Sequence, residues 1–212
     1  MMRFSTFEDS LAEAAKKFDE TVRRREILIK ESRDVIALSA KAIVNVHSSN
    51  FTEAKRLKAA AKTKLGELRE VAASDLTKYL LTPEQEYVEC SFLLAIITGS
   101  KIPSRKLLGV SHLSFILGLL DTIGELKRSV YDAIRENNFE VAQRFFTHME
   151  ELYLLLSPFA VYDNVAPGAR RKLDVARILI EDTRATITEE ARRRDFIRAV
   201  NRLSERLEER KN

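Results

Sequence analysis

The sequence predicts an all-α protein on three observations. Glycine and proline are sparse, six and four in 212 residues, and neither occurs before Gly66. Apolar residues recur at helical spacing over long stretches, while no convincing period-two alternation marks a strand. Side-chain acceptors followed three residues later by Glu or Gln repeatedly mark helix starts. The expected architecture is a multi-helix bundle with a very long first helix. A single domain is expected over 1–212, with 196–212 as a C-terminal helical extension.

The first helix is expected over 5–49, opened by Ser5 with Glu8. Phe4, Phe7, Leu11, Ala14, Phe18, Val22, Ile29, Ile36 and Ile43 recur along it at helical spacing. At 1.5 Å per residue it spans roughly 65–70 Å. One globule of this size would not cover such a rod, so its excess apolar length is expected to pack on other subunits. Asn50 with Glu53 opens a helix over 52–81. Thr82 with Gln85 opens the next, over 83–98, with Pro83 at the first helical position, where its missing N–H costs nothing. A short helical turn is expected within Ser104–Leu108, and a helix over 111–136. Asn137 with Glu140 opens a helix over 139–157. The last helix, 168–208, carries one stripe of Leu173, Ala176, Ile180, Thr183 and Ile187 and another of Phe196, Val200, Leu203 and Leu207. Between the stripes lies Arg192-Arg193-Arg194. The interspersed Glu205, Glu208 and Glu209 argue against a basic RNA arm there and for a helix packed on the bundle or on a neighbour.

Composition bounds the class. With 45% apolar and 32% charged residues, the chain is expected to be soluble, with ample core for one domain. No apolar run reaches membrane-spanning length, and Met1-Met2-Arg3-Phe4-Ser5 lacks the apolar stretch of a signal peptide. The one cysteine, Cys90, fits a reducing cytoplasm. The net charge of +4 conceals 36 basic residues, so nucleic-acid binding is permitted without being demanded.

Four carboxylates are the candidate chemistry. Glu86 and Glu89 are three apart, and Asp121 and Glu125 four apart, so each pair shares one helix face. Asp121 follows Phe115, Ile116, Leu117, Leu119 and Leu120, where a carboxylate is costly unless paired or bound to metal. Two facing pairs would make an oxygen-rich pocket for Mg²⁺ or Mn²⁺, the chemistry of metal-assisted phosphodiester cleavage. Structural ion pairs produce the same spacing. A ferritin-like di-iron centre is excluded, since none of His47, His112 or His148 has Glu three residues before it. The all-α nucleotide pyrophosphohydrolases have Glu-x-x-Glu and then Glu-x-x-Asp. Here the second motif is Asp-x-x-x-Glu, in reverse order, which leaves that family as a runner-up. Cys90 has no nearby histidine and reads as a small buried residue. Gly118 and Gly124 read as points of close helix approach or ligand access. On the first helix Arg23, Arg24, Arg25, Lys30, Arg33 and Lys41 form either a solvated face or an electrostatic track for phosphates. Lys30, Arg33 and Lys41 are the candidate nucleic-acid contacts.

Gln85-Glu86-Tyr87-Val88-Glu89 with Ser91-Phe92, then Gly118, Asp121, Gly124-Glu125-Leu126 and Arg128, resemble signature segments of the translin family, in its factor X branch. Ser32-Arg33-Asp34, Ser39, Lys41 and His47 resemble that family's long first helix. The resemblance covers about Phe18 to Asp195 and gives no guidance for the tail beyond. It implies an α bundle that assembles into a hollow octamer and binds RNA or single-stranded DNA inside. In the factor X branch it implies Mg²⁺-dependent RNA hydrolysis, with Glu86, Glu89, Asp121 and Glu125 as metal-binding and catalytic positions. Translin itself lacks the complete acidic set and mainly binds, so a non-catalytic shell is the rival expectation.

Overall fold

The computed structural model describes residues 5–209, and every regular element among them is helical. The order is α1 (Ser5–His47), α2 (Phe51–Ala72), a 3₁₀ turn (Thr77–Leu80), α3 (Leu81–Thr98), α4 (Arg105–Leu108), α5 (His112–Arg135), α6 (Phe139–Leu156), a second 3₁₀ turn (Ser157–Tyr162) and α7 (Ala169–Glu209). The chain divides into two compact units, Met1–Gly118 and Leu119–Asn212, and the division falls within α5.

In the first unit α1, α2 and α3 pack on one another. The buried row of α1 is Leu28, Ser32, Val35, Ser39, Ala42 and Val46, in alternating steps of four and three. The facing row of α2 is Ala54, Leu57, Ala61, Leu65, Leu68 and Ala72. Steps of three and four keep a seam on one side of a helix, and the small Ala and Ser side chains let the backbones approach. The central helix, α3, buries Pro83, Tyr87, Val88 and the whole run Cys90–Ala95. By contrast, Phe7, Leu11, Phe18 and Val22 are exposed, Phe18 at 68%. That half of the rod is uncovered, in accord with the expectation from its length.

Several expected boundaries move. The helix expected to reach residue 81 stops at Ala72, because Ala73 takes φ 47° and its N–H caps the Arg69 carbonyl. Ser74 and Asp75 follow, residues whose side chains favour turns. Asn50 caps α2 as expected, accepting from the Glu53 N–H at 3.4 Å, but the Glu53 carboxylate turns to Arg56 at 2.6 Å. Thr82 is not a cap. The Thr77–Leu80 turn runs directly into α3, which starts at Leu81 with no side-chain cap. The cap of α6 is Asn138, accepting from Val141 N–H at 3.3 Å, since Asn137 at φ 59° is spent in ending α5. The Ser5 side chain of the first expected cap lies outside the described residues.

A buried carboxylate anchors the connection between α3 and α5. Glu84, 5% exposed, accepts from the Ser111 N–H at 2.9 Å and the Ser114 hydroxyl at 2.8 Å. Arg69 Nε reaches it at 3.4 Å, and the same guanidinium also donates to the Leu108 carbonyl. Truncating one partner of such a buried network leaves the others desolvated and unpaired. Glu84→Ala is therefore expected to destabilise the chain by about 3 kcal/mol, measured as a lower urea midpoint at an unchanged slope.

In the second unit α7 packs on α6 and on the Ser157–Tyr162 turn. Its buried residues Leu173, Ala176, Ile180, Thr183 and Ile187 are those of the expected stripe, joined by Ala169. They meet a core that includes Phe145, Phe146 and Met149 of α6. Arg184 pairs with Glu150 at 2.7 Å across the two helices. Lys127 and the Tyr131 hydroxyl both donate to Asp182, and they hold its carboxyl below the usual range. The second stripe, Phe196, Val200, Leu203 and Leu207, is exposed. Of the basic run between the stripes, Arg192 and Arg193 pair with Glu189 and Glu190 one turn back, and Arg194 stacks over Phe139.

Candidate active site

Glu86 and Glu89 sit half-buried on α3, between buried Tyr87, Val88 and Cys90. The apolar face fixes the helix, and the two carboxylates project one turn apart at its margin. Beside them Cys90 is 1% exposed and gives its Sγ to the Tyr87 carbonyl at 3.5 Å. Burial pushes its thiol up to about 12, so it is a packed small residue, as expected, and carries no thiolate at neutral pH.

Gly118 and Gly124 divide the two roles anticipated for them. A Cβ on Gly118 would lie 2.5 Å from the Gln85 carbonyl oxygen and 2.7 Å from Val88 Cβ. Close approach of α5 to α3 therefore requires glycine there. A Cβ on Gly124 would meet only Leu179 Cδ1, at 3.9 Å. Gly124 instead opens a cavity of about 410 Å³ within the second unit.

Asp121 and Glu125 are half-buried on α5, flanked by buried Thr122, Ile123 and Leu126. The charge on Asp121 is balanced by Lys172, whose Nζ donates to Oδ1. The two side chains are 24% and 32% exposed. An amine 51 residues away thus compensates the carboxylate that looked costly beside its apolar run. Lys172 and its neighbour Arg171 line the cavity together with Asp121 and Gly124. Sequence reasoning passed over both basic residues, although a signal was present. The first turn of α7 contains Arg170, Arg171 and Lys172 and no acid, a placement the helix dipole disfavours.

Among the described residues no three His, Cys, Asp or Glu side chains are gathered as a metal-binding group. The donor chemistry nonetheless suits a hard cation. Each of the four candidate positions is a carboxylate at intermediate burial, and carboxylate oxygens are the ligands that such a cation takes. A cation at Asp121 would compete with Lys172.

The basic face of α1 separates into two groups. Arg24 forms a two-pronged pair with Asp75, at 3.0 and 2.5 Å, and donates to the Val71 carbonyl. Its guanidinium holds the Asp75 carboxyl below the usual range. Arg25 bonds the Tyr79 hydroxyl at 2.8 Å. These two are structural. Lys30, Arg33 and Lys41 are exposed, and Lys41 borders a shallow cavity between α1 and α2 with Asp34, Lys64 and Glu67. Among the described residues no helix is long and apolar enough to cross a membrane.

No family model matches the chain. An uncharacterized protein of Methanocaldococcus jannaschii is 36% identical over 166 residues, 77% of this chain and 74% of the relative. Among solved structures, AfC3PO in complex with duplex RNA superposes with a TM-score of 0.79 at 28% identity, over 87% of this chain and 98% of that one. AfC3PO alone gives 0.80 at 28% over the same shares. Apo-NeC3PO gives 0.75 at 23%, over 85% of this chain and 96% of that one. The chain thus belongs to one family with the Methanocaldococcus jannaschii protein, and its structural neighbours are the C3PO complexes of the translin family.

Proposed function

We propose that this chain is a factor X-like member of the translin family, a Mg²⁺-dependent endoribonuclease that binds RNA inside a homo-oligomeric shell. The observation that carries the reading is the likeness, at 28% identity, to a C3PO chain bound to duplex RNA. Carboxylates at all four family positions, each half-buried, support the catalytic part. Glu86, Glu89 and Asp121 would hold Mg²⁺ (Mn²⁺ as a substitute), and Glu125 would complete the set or orient the attacking water. Bound there, the ion supplies Lewis acidity and neutralises charge developing at the scissile phosphate. Lys30, Arg33 and Lys41 hold the nucleic-acid backbone, so base specificity is low and single-stranded DNA is a further ligand. A cytoplasmic location belongs to the same proposal, on the strength of the one buried cysteine.

The Asp121–Lys172 pair favours a second reading. A carboxylate already neutralised by an amine suits a shell that binds RNA without cutting it. Labelled RNA incubated with pure protein separates the readings. Cleavage with Mg²⁺ and none with EDTA supports the nuclease, and intact RNA in both supports the binding shell. Hydrolysis of nucleoside triphosphates with RNA untouched would point to a pyrophosphohydrolase.

Two further results are expected. Arg33→Ala with Lys41→Ala should weaken binding to unrelated RNA sequences alike and flatten its salt dependence, by roughly 0.7–0.9 in log–log slope per lost phosphate contact. An unchanged slope would assign those side chains to solvent or to a neighbouring subunit. Light scattering should show a large closed homo-oligomer, most simply an octamer, burying the exposed Phe7, Leu11, Phe18 and Val22 row. A stable monomer at micromolar protein contradicts the shell.

A further inference from the structure

We propose that the cavity beside Asp121 is a phosphate site, which takes one backbone phosphodiester of the RNA between the Arg171 guanidinium and the Lys172 ammonium. This rests on the RNA-binding reading and extends it to residues of the second unit that the acidic motifs do not include. The cavity holds about 410 Å³, and glycine at 124 keeps it open, since a side chain there would grow into it past Leu179. Its charged lining is Asp121, Arg171 and Lys172. Lys172 gives one N–H to Asp121, and an ammonium has two more to offer. Arg171 is exposed and makes no ion pair or hydrogen bond of its side chain among the described residues. The balance of two cations and one carboxylate matches the single negative charge of a phosphodiester. The planar guanidinium fork fits two phosphate oxygens. Leu120, Val175 and Leu179 make the rest of the wall apolar, which strengthens a charge pair relative to open water.

The site is tested by RNA affinity against salt in EDTA, where neither cleavage nor a metal intervenes. Arg171→Ala removes a side chain that supports nothing in the fold. It should make the log–log slope shallower by roughly 0.7–0.9, one phosphate contact. Gly124→Leu fills the cavity without changing its charge and replaces glycine with a better helix former. It should lower RNA affinity while light scattering shows the oligomer intact. An unchanged slope for Arg171→Ala and unchanged affinity for Gly124→Leu overturn the proposal, even where Arg33→Ala with Lys41→Ala still weakens binding and RNA binding itself stands. If wild-type protein binds no RNA, the underlying reading fails instead. Calorimetry with adenosine monophosphate and with inorganic phosphate separates the sources. Binding of either that Arg171→Ala abolishes, with the RNA slope unmoved, makes this a free-phosphate or nucleotide site and overturns the assignment to RNA.

Discussion

Asp121→Asn is expected to lower Mg²⁺-dependent RNA cleavage by about 10²- to 10³-fold, the range for removing one preorganised electrostatic group from an active site, with RNA binding and oligomer retained. The substitution preserves shape and removes the charge that a hard cation requires. The neutral amide cannot pair ionically with Lys172, but both side chains keep some contact with solvent, and the stability cost should be on the order of 1 kcal/mol. The fold should therefore hold, and lost cleavage can be ascribed to chemistry. Glu86→Gln and Glu89→Gln should behave alike. Glu125→Gln should be milder, about 10- to 100-fold, if Glu125 acts behind the direct ligands. A wild-type rate in Asp121→Asn would make the acidic set structural and leave the binding shell standing.

Gly118→Ala should give one of the largest stability losses of any single methyl added to this chain. Its Cβ would fall 2.5 Å from a backbone oxygen and 2.7 Å from Val88 Cβ, and neither atom is the free end of a flexible side chain. Relief requires α5 to move off α3 inside a packed core. Overpacking of this kind costs about 1–3 kcal/mol, occasionally more, and it outweighs the roughly 1 kcal/mol by which alanine improves on glycine in a helix. Denaturant unfolding should show the net loss. On the proposed function, cleavage should fall too, because Gln85 and Val88 adjoin Glu86 and Glu89 and their displacement resets both carboxylates. A neutral effect on stability would mean the two helices separate there without strain.

What the sequence disclosed followed from periodicity and side-chain type. The inner stripe of α7 was legible because Leu173, Ile180 and Ile187 are apolar and face one unit along its whole length. The inner row of α1 was not, because half of it is Ser32, Ser39 and Ala42, which carry no hydropathy signal. The larger apolar residues Phe7, Phe18 and Val22 lie instead in the uncovered half of the helix. The end of α2 at Ala72 was hidden for a related reason. The turn uses Ala73 at positive φ, with neither glycine nor proline to announce it. In the candidate site, the carboxylate motifs could be read locally. The pairing of Asp121 with Lys172, and the diversion of Arg24 to Asp75, could not, since each joins residues about fifty positions apart, and only tertiary packing brings them together.

The two stripes of α7 have a consequence for how the chain can be divided. Nine residues separate Ile187 from Phe196, roughly 900° of helical rotation at 100° per residue, which leaves the second stripe half a turn out of phase with the first. One rod of 41 residues therefore presents its apolar sides in opposite directions. Its first half is fastened to α6, and its last turns touch nothing in their own core. The extension is thermodynamically separable. It can lengthen, shorten or change its apolar residues without disturbing the packing of residues 119–187, so the fold and the tail are free to evolve at different rates.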